Sequence, residues 1–301
     1  MRTTRGRTAR RYAGYVWYGL QTFLLRRERP YLFTLIIGDA CNLNCFYCLS
    51  KNTGLYDLDH RAVIERLAAA HARGHRALVI SGGEPMLWQS DGATIADVVR
   101  QAGELGFADI TIFTNGTFPL TVPGCRYIVT VDGTRSTHDA IRPGTYDQIM
   151  RHAREADAEV FASITISKKN ASELEQAIEG MDAAGVFKGI MFNLLTGQPR
   201  VLERHGLLGA ERLQVLQRVW AMKRKGYPIV LSGAAYRAMC RNDWRRPIRQ
   251  IELGTRSAVF TCCRDVVHPD VCRNCGYSGC VELSQALAGR PSAILALLKA
   301  A

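Results

Sequence analysis

The chain has 301 residues, of which 47% are hydrophobic and 22% charged. A chain of this length and apolar content can bury one sizeable core with a small appendage, which excludes a disordered protein. The formal net charge is +12, and residues 1–29 hold eight Arg against one Glu. Because no basic stripe continues into the body of the chain, we expect no nucleic-acid partner.

The N-terminal arm combines Arg clusters with an aromatic and apolar run at residues 12–25. Crossing a bilayer takes roughly 20 apolar residues, so this run is too short to span one. It fits either a helix that closes one end of a barrel or a peripheral contact of residues 1–29 with a membrane. Arg10 and Arg11 are not followed by a small-residue cleavage site, so we expect a cytoplasmic protein, or one at the inner face of the membrane.

Apolar runs rich in β-branched residues recur along the chain, and helical periodicity follows most of them. Six strands are predicted, at residues 32–37, 77–81, 109–114, 127–132, 160–166 and 189–194. Strands that alternate with helices pair in parallel, which predicts an α/β sheet curled into a barrel. Only residues 115–126 separate the third strand from the fourth, so the helix expected there is reduced or missing. Ser172 and Glu175 have the spacing of a capping box, which predicts the start of a helix.

The composition changes after the sixth predicted strand. A long helix at 210–225 and a short strand at 229–232 come first, and the chain is Cys-rich from residue 237 onward. We therefore expect three segments. They are the basic aromatic arm at 1–29, a barrel at 30–233, and a Cys-rich auxiliary domain with a C-terminal helix at 234–301.

Three cysteines, Cys41, Cys45 and Cys48, stand within eight residues directly after the first predicted strand. A cubane [4Fe–4S] cluster is usually held by four Cys, so a three-Cys loop leaves one iron open. Structural zinc is the main alternative, but zinc requires four closed ligands, and no second pair follows within the next dozen residues. A disulfide framework is disfavoured because disulfides are rare in reducing compartments.

The second predicted strand ends in Ser81-Gly82-Gly83-Glu84-Pro85. Two glycines let the backbone pass close to a bound group, and the carboxylate of Glu84 can accept hydrogen bonds from an ammonium. Ligand-facing groups of a parallel α/β barrel lie at the C-terminal ends of its strands. We therefore expect this turn and the Cys loop to form one site.

The Cys-x3-Cys-x2-Cys loop and the Gly-Gly-Glu-Pro turn, at successive strand ends, resemble the radical S-adenosylmethionine (SAM) superfamily over residues 30–195. The resemblance implies a partial (β/α)6 TIM-like barrel, a [4Fe–4S] cluster on the three cysteines, and SAM as a cofactor. It implies an enzyme that reductively cleaves SAM to a 5′-deoxyadenosyl radical, with an electron donor such as flavodoxin or ferredoxin. That radical abstracts hydrogen from the substrate or adds to an unsaturated carbon.

The resemblance assigns Gly82, Gly83 and Glu84 to the methionyl amine of SAM and Tyr47 to its adenine. A Thr-Asn-Gly at the third strand end and a Thr-Val-Asp-Gly at the fourth, followed by Arg142, are similar to sequences of the same superfamily. Residues on the fifth and sixth strands could also face the pocket. The residues expected to contact SAM are Tyr47, Gly82, Gly83, Glu84, Asn115, Thr130, Ser163 and Asn193. No catalytic acid or base is assigned.

Six cysteines follow the predicted barrel, at positions 240, 262, 263, 272, 275 and 280. Their compact spacing predicts an auxiliary [4Fe–4S] cluster, and structural zinc is the alternative. The predicted ligands are Cys263, Cys272, Cys275 and Cys280, with Cys240 or Cys262 as further candidates. The region is similar to the twitch and SPASM extensions of radical SAM enzymes, and its tail resembles the radical SAM protein that extends hopanoid lipids.

This tail, together with the basic aromatic arm, favours a small or lipid-like substrate, such as an isoprenoid. A peptide-modifying maturase is the alternative within the superfamily, since twitch and SPASM members often modify peptides. A non-catalytic iron–sulfur regulator that binds nucleic acid is the alternative of another class, and steep salt dependence without SAM turnover would mark it.

Overall fold

The structure is a computed structural model that describes residues 2–23, 29–48, 52–54, 56–197, 199–263 and 268–300. Its strands are β1 (Leu32–Ile36), β2 (Ala77–Ser81), β3 (Gln89–Ser90), β4 (Ala93–Thr94), β5 (Asp109–Thr114), β6 (Arg126–Thr130), β7 (Val160–Ile166), β8 (Gly189–Leu194), β9 (Ile251–Gly254) and β10 (Val259–Thr261). Its helices are α1 (Arg2–Phe23), α2 (His60–Arg73), α3 (Ile95–Leu105), α4 (Arg135–Ile141), α5 (Tyr146–Glu155), α6 (Leu174–Ala183), α7 (Pro199–His205), α8 (Gly209–Arg224), α9 (Gly233–Arg241), α10 (Pro269–Arg273), α11 (Ser278–Leu287) and α12 (Pro291–Ala300).

Within the described residues, eight strands form one sheet in the order β10-β9-β1-β2-β5-β6-β7-β8. The pairs from β9 through β1 to β8 are parallel, and β10 runs antiparallel beside β9. The carboxyl ends of the parallel strands therefore meet at one end of the sheet, where barrels of this kind place their sites. This mostly parallel α/β sheet confirms the predicted fold class.

The six strands predicted from β-branched runs are confirmed as β1, β2, β5, β6, β7 and β8. Residues 115–125, all of them described, contain no helix between β5 and β6, as the short connection predicted. The long helix predicted at 210–225 is α8. These predictions hold because their signals are local: β-branched runs, helical periodicity and prolines act within a few residues of one another.

Two local predictions were wrong. Helix α6 begins at Leu174 and not after Ser172, and the carboxylate of Glu175 binds Arg218 and does not cap the helix. The strand expected at 229–232 is reduced to one parallel bridge between Ile229 and Ile190 of β8. At Glu175 a tertiary ion pair replaced the local capping contact that the sequence suggested.

Helix α1 lies across the N-terminal ends of the strands. The hydroxyl of Tyr15 donates to Asp109, the first residue of β5, at 2.7 Å. Arg11 pairs with Glu159, just before β7, at 3.2 Å, and the ring of Tyr18 lies 4.4 Å from that of Tyr31. The helix thus closes the end of the barrel opposite the Cys loop, as the first interpretation of the arm predicted. The second Arg cluster, at residues 26–27, lies outside the described residues, and no helix among those described is long and apolar enough to cross a membrane.

The Cys-rich segment, expected as a separate domain at 234–301, continues the barrel sheet. Strand β9 pairs with β1, with Ile251 opposite Leu32, and Ile251 belongs to the main core cluster. At the other sheet edge, the amide of Leu194 at the end of β8 donates to the carbonyl of Gly276 at 3.0 Å. A side chain at Gly276 would collide with Leu194, so glycine permits this close approach. The segment therefore attaches to both edges of the barrel sheet.

Candidate active site

A cavity of about 550 Å³ runs through the barrel. Alternate residues of the parallel strands line it, because side chains of a strand point to opposite faces with a period of two. At one end it reaches Tyr15 of α1 together with Asp109 and Arg126, the first residues of β5 and β6. At the other end it reaches the loop after β1. The cavity thus spans the sheet from the N-terminal to the C-terminal ends of its strands.

The three cysteines of that loop all line the cavity. Cys45 is buried, whereas Cys41 and Cys48 are half-buried. Burial raises the pKa of Cys41 and of Cys45, and the charge of the neighbouring cysteines raises both pKa values further. Thiols this close resist ionising together unless a cation neutralises them, and metal binding supplies that cation.

Gly82 and Gly83 allow the second strand end to touch the backbone of the Cys loop. The amide of Gly83 donates to the carbonyl of Gly38 at 2.9 Å. A Cβ atom at Gly82 would collide with the carbonyl oxygen of Gly38, and one at Gly83 with those of Asp39 and Ala40. Both glycines also line the cavity. Their small size therefore holds two strand ends together, a reason for glycine that differs from the close approach to a ligand predicted from sequence.

Glu84 is buried, and its carboxylate is hydrogen-bonded by other residues of the protein. Its carboxylate accepts from the hydroxyl of Thr114 at 2.6 Å, the amide of Asn115 at 2.7 Å and the amide of Met86 at 3.0 Å. Burial raises the pKa of Glu84, and these hydrogen bonds oppose the rise. Glu84 is not among the described residues that line the cavity. The structure shows it joining the ends of β2 and β5.

The remaining residues expected to contact SAM line the cavity: Asn115, Thr130, Ser163 and Asn193. The side-chain amide of Asn115 donates to Asn42 at 2.9 Å and lies 3.9 Å from the sulfur of Cys41. Thr130 and Ser163 are paired neighbours on β6 and β7. The structure therefore brings this polar set to the same end of the cavity as the three cysteines.

Tyr47 is held by two residues to which sequence reasoning gave no role. Its hydroxyl donates to Asp132, and Arg142 donates both to that hydroxyl at 2.6 Å and to Asp132 at 2.7 Å. Asp132 is fully buried and also accepts from the amide of Thr165 at 3.0 Å. This ion pair fixes the Cys loop to the ends of β6 and β7. The sequence did contain a signal for this ion pair, because Asp132 and Arg142 lie in the stretch that is similar to sequences of the superfamily.

Four of the C-terminal cysteines lie close together. Cys262 hydrogen-bonds to Cys263 and Cys280. The bond with Cys263 lowers the pKa of Cys262, but the bond with Cys280 and burial raise it to about 12. Burial raises the pKa of Cys275 to about 12, and the charges of Cys262 and Cys263 act in the same direction. Cys262, Cys263 and Cys280 line the same cavity as the first three cysteines. Cys240 and Cys272 are half-buried and are not among the described residues that line it.

Glu282 also lines the cavity, from α11. One carboxylate oxygen accepts from the amide of Ser232, and the other is buried without a hydrogen-bond partner. Burial raises the pKa of Glu282 to about 7. No sequence signal singled out this residue, because its burial depends on a contact across 50 positions of the chain.

The donor set fits the cofactors that the sequence implies. Among the described residues, no three His, Cys, Asp or Glu side chains converge as ligands of a single metal ion. The irons of a cubane occupy separate corners, and each takes its own thiolate. Cys41, Cys45 and Cys48 supply three such thiols at the mouth of a cavity whose polar strand ends suit a small polar cofactor. They are the residues that would hold a cluster with one open iron.

A partial TIM barrel with three cysteines beside a Gly-Gly-Glu turn defines the class of this protein. Residues 35–179 match the family model of the radical SAM superfamily. Over these residues the barrel of this chain is therefore similar to that superfamily.

Three similar proteins extend the comparison. The sporulation killing factor maturation protein SkfB of Bacillus subtilis (strain 168) is 26% identical over 173 residues, which cover 52% of this chain and 41% of the relative. The probable GTP 3′,8-cyclase of Methanothermobacter thermautotrophicus is 31% identical over 132 residues, covering 42% and 41%. The crystal structure of SuiB from Streptococcus suis has a TM-score of 0.55 at 11% identity, covering 80% of this chain and 61% of that one. The matches to the two curated relatives span about two fifths of their length.

Proposed function

We propose that this protein is a radical SAM enzyme whose cluster is held by Cys41, Cys45 and Cys48. The observation that carries the proposal is that all three thiols line one end of the barrel cavity. Bound there, the cluster and SAM would supply one-electron chemistry that generates a carbon-centred radical. The family match over residues 35–179 supports the same cofactors.

The described residues give the chain three tasks in this function. Gly82 and Gly83 position the Cys loop against β2, and the Asp132–Arg142 pair holds Tyr47 at the cavity wall. The polar strand ends orient SAM beside the thiols. The barrel wall and α1 exclude water, which protects a reactive intermediate from side reactions.

The test is SAM cleavage by the anaerobically reconstituted full chain. Cys45→Ala should abolish 5′-deoxyadenosine formation, because the cluster loses one of its three protein ligands. Cys125→Ala is the control, since Cys125 is a half-buried thiol that lies outside the cavity lining. Undiminished deoxyadenosine from Cys45→Ala, measured by mass spectrometry, would refute the assignment.

We propose a small, mainly apolar metabolite, such as an isoprenoid-like lipid, as the substrate. Apolar side chains form most of the middle of the cavity wall, among them Ile36, Ile128, Phe161, Met191 and Leu253. Burying such a molecule against them removes apolar surface from water. Flavodoxin or ferredoxin would deliver the electron. Substrate-dependent deoxyadenosine formation, compared between isoprenoid lipids and peptides, tests this class.

A peptide substrate is the second candidate. It is favoured by the similarity to SkfB, a protein named for maturation of the sporulation killing factor. Stimulation by peptides and not by isoprenoid lipids in the same assay would select it.

We also propose an auxiliary [4Fe–4S] cluster on the C-terminal cysteines. The proximity of Cys262, Cys263, Cys275 and Cys280 supports these four as ligands, with Cys272 from the sequence prediction as the alternative to Cys262. The reconstituted chain should then contain about eight irons, and a Cys275→Ala, Cys280→Ala double variant about four. Four irons in the unaltered chain, or zinc in place of the second cluster, would contradict the proposal.

The outer face of α1, formed by Tyr12, Ala13, Val16, Trp17 and Leu20, supports peripheral membrane contact. Val16 is 64% exposed and Trp17 60% exposed, while the opposite face packs on the barrel. Residues 1–29 hold eight Arg against one Glu, and this positive charge of the sequence is complementary to an anionic lipid surface. We propose that this face docks on acidic membranes.

Sedimentation with vesicles tests the docking. The chain should bind vesicles of phosphatidylcholine with phosphatidylglycerol and not vesicles of phosphatidylcholine alone. A Trp17→Ala, Leu20→Ala double variant should bind roughly tenfold more weakly, because both apolar side chains lose their buried area. Leu213→Ala, which alters an exposed leucine of α8, is the control. Equal sedimentation of all three proteins, or of the unaltered chain with both vesicle types, would contradict docking.

A further inference from the structure

Helix α11 closes the side of the barrel that the sheet leaves open. The sheet ends in β8 at one edge and β10 at the other. The residue before α11, Tyr277, bridges to Asn193 of β8. On the other side, Cys280 of α11 hydrogen-bonds to Cys262, which follows β10. Side chains of α11 that point between these two contacts face the interior, and they include Cys280, Glu282 and Leu283.

The carboxylate of Glu282 is incompletely satisfied inside this wall. The residue is 1% exposed, and its hydrogen bonds come from Ser232, the N-cap residue of α9, whose backbone amide donates to Oε1. Its other oxygen, Oε2, is buried and accepts no hydrogen bond. The positive charge of Lys223 acts on this carboxylate, but the ammonium of Lys223 donates to the carbonyl of Ile229 at 2.6 Å and not to Oε2. A buried acceptor without a partner is destabilising, so a ligand that supplies a donor there relieves part of that cost.

The surroundings of Glu282 define the kind of ligand. Apolar residues Leu283, Leu297 and Val230 line the cavity on the same side. A fully apolar molecule would leave Oε2 unpaired, and a strongly polar one would lose its hydration against these side chains. The ligand that satisfies both is an apolar chain with one hydrogen-bond donor.

We propose that Glu282 is the substrate anchor, and that its free oxygen accepts a hydrogen bond from a hydroxyl or ammonium group of an otherwise apolar substrate. This inference rests on the proposed function, because it takes the apolar substrate proposed there and narrows it to molecules with a terminal hydrogen-bond donor. It adds a fixed orientation as well, since the donor end lies on α11 and the remaining chain extends along the barrel interior.

The experiment compares three probes of equal size: 1-octanol, octylamine and methyl heptyl ether. Calorimetric titration of the reconstituted full chain should show the alcohol and the amine binding about tenfold more tightly than the ether, which has no donor. An advantage of the alcohol alone would identify a hydroxyl as the partner, and an advantage of the amine alone an ammonium. Equal affinities for all three would overturn the proposal without any variant.

Glu282→Gln provides the second arm. The glutamine oxygen can still accept from Ser232, and the glutamine amide group then faces the cavity in place of Oε2. Because that amide group is a donor and not an acceptor, the affinity difference between alcohol and ether should fall to within about twofold. Leu283→Ala is the matched control on α11, because it removes apolar wall and should weaken all three probes by a similar factor. A difference that survives in Glu282→Gln would overturn the assignment.

The outcome is separable from that of the proposed function. The titration needs no SAM turnover. If no deoxyadenosine forms but the probes rank as expected, the proposed radical SAM activity is refuted and the binding site is kept. If deoxyadenosine forms normally but the probes bind equally, the binding site is refuted and the activity is kept.

Discussion

Gly83 is the residue at which the first two strand ends depend most on the absence of a side chain. Its amide donates to the loop that carries the cysteines, and a Cβ atom there would meet two carbonyl oxygens of that loop. The carbonyls belong to a backbone already fixed by β1, so they have little freedom to retreat. The position of the Cys loop thus depends on Gly83 having a hydrogen atom in place of a side chain.

Gly83→Ala should therefore lower the free energy of unfolding by about 1–3 kcal/mol, the usual cost of overpacking, and reduce the iron bound per chain. Urea unfolding and iron analysis measure the two effects. Gly103→Ala is the control, because Gly103 lies inside α3 with open space around it and alanine favours a helix. Equal stability and iron content in both variants would contradict the coupling.

His138 is a fully buried neutral side chain behind the Tyr47 contact. Its Nδ1 accepts from the amide of Asp132 at 3.0 Å, and its Nε2 lies 2.9 Å from the hydroxyl of Thr145. Burial lowers its pKa to about 4. In the unfolded chain a histidine titrates near pH 6.5, so the unfolded state binds more protons between these two values.

The stability that depends on neutral His138 is complete above about pH 6.5 and is lost as the pH falls toward 4. Between pH 7.5 and 4.5 the loss should reach about 2.5 kcal/mol. Urea unfolding across this range measures it, and His138→Gln, whose oxygen can accept from Asp132, should flatten the profile by that amount. A profile of His138→Gln that matches the unaltered chain would contradict the prediction.

For individual residues, the sequence predicted which side chains lie together at the site, but not which contacts each of them makes. Cys41, Cys45 and Cys48 lie together in the loop after β1, as their spacing predicted. The prediction held because all three cysteines stand within eight residues of one another. The engagement of Glu84 by Thr114 and Asn115 could not be predicted, since it depends on the packing of β2 against β5. The same holds for Glu282, whose partner Ser232 is distant in the chain.

Among the elements, α1 carries the most consequential packing. Its Tyr15 bonds to Asp109, which in turn pairs with Arg126 at 2.6 Å, so one helix and two strand starts meet in a buried polar cluster. The guanidinium of Arg126 also lies 5.7 Å from the ring of Phe161. This cluster forms the floor of the cavity. Removing its cation would leave a buried carboxylate without a counter-charge.

Arg126→Ala should thus destabilise the fold by about 3 kcal/mol or more and release α1. Thermal and urea unfolding give the first effect, and proteolysis after Arg10 and Arg11 reports the second. Arg135→Ala is the matched control, because its ion pair with Asp147 is exposed and such pairs contribute under about 1 kcal/mol. Similar losses in the two variants would show that the floor cluster contributes no more than a surface pair.

The element predictions succeeded where periodicity was strong and failed where chain segments distant in sequence pair. The barrel strands β1, β2, β5, β6, β7 and β8 were visible as apolar runs. Strand β9 was not, because Ile251–Gly254 is short and contains Glu252, and its pairing with β1 joins residues about 220 positions apart. No local signal encodes a contact of that span.

For the whole molecule, one sheet and one core include both the barrel and the Cys-rich segment. Ile248, Ile251, Cys275 and Val281 belong to the same core cluster as Phe33 and Ile112. We propose that the chain unfolds as one cooperative unit and not as a barrel with an independent auxiliary domain.

Pulsed hydrogen exchange at increasing urea concentration tests this. Amides of β1 and β9 should lose protection at the same urea concentration, because each strand completes the other's ladder. Amides of α12, at the periphery, serve as the reference for local fraying. Loss of protection in β9 well before β1 would establish two separate folding units.

The closure of the barrel by α11 has a consequence for assembly in the cell. The loop that would receive iron leaves the ribosome more than 200 residues before the helix that walls off the interior. During that interval the nascent sheet has an unsealed flank, which closes once Tyr277 docks beside Asn193. Synthesis of the chain thus completes the cysteine loop well before it completes the wall of the interior.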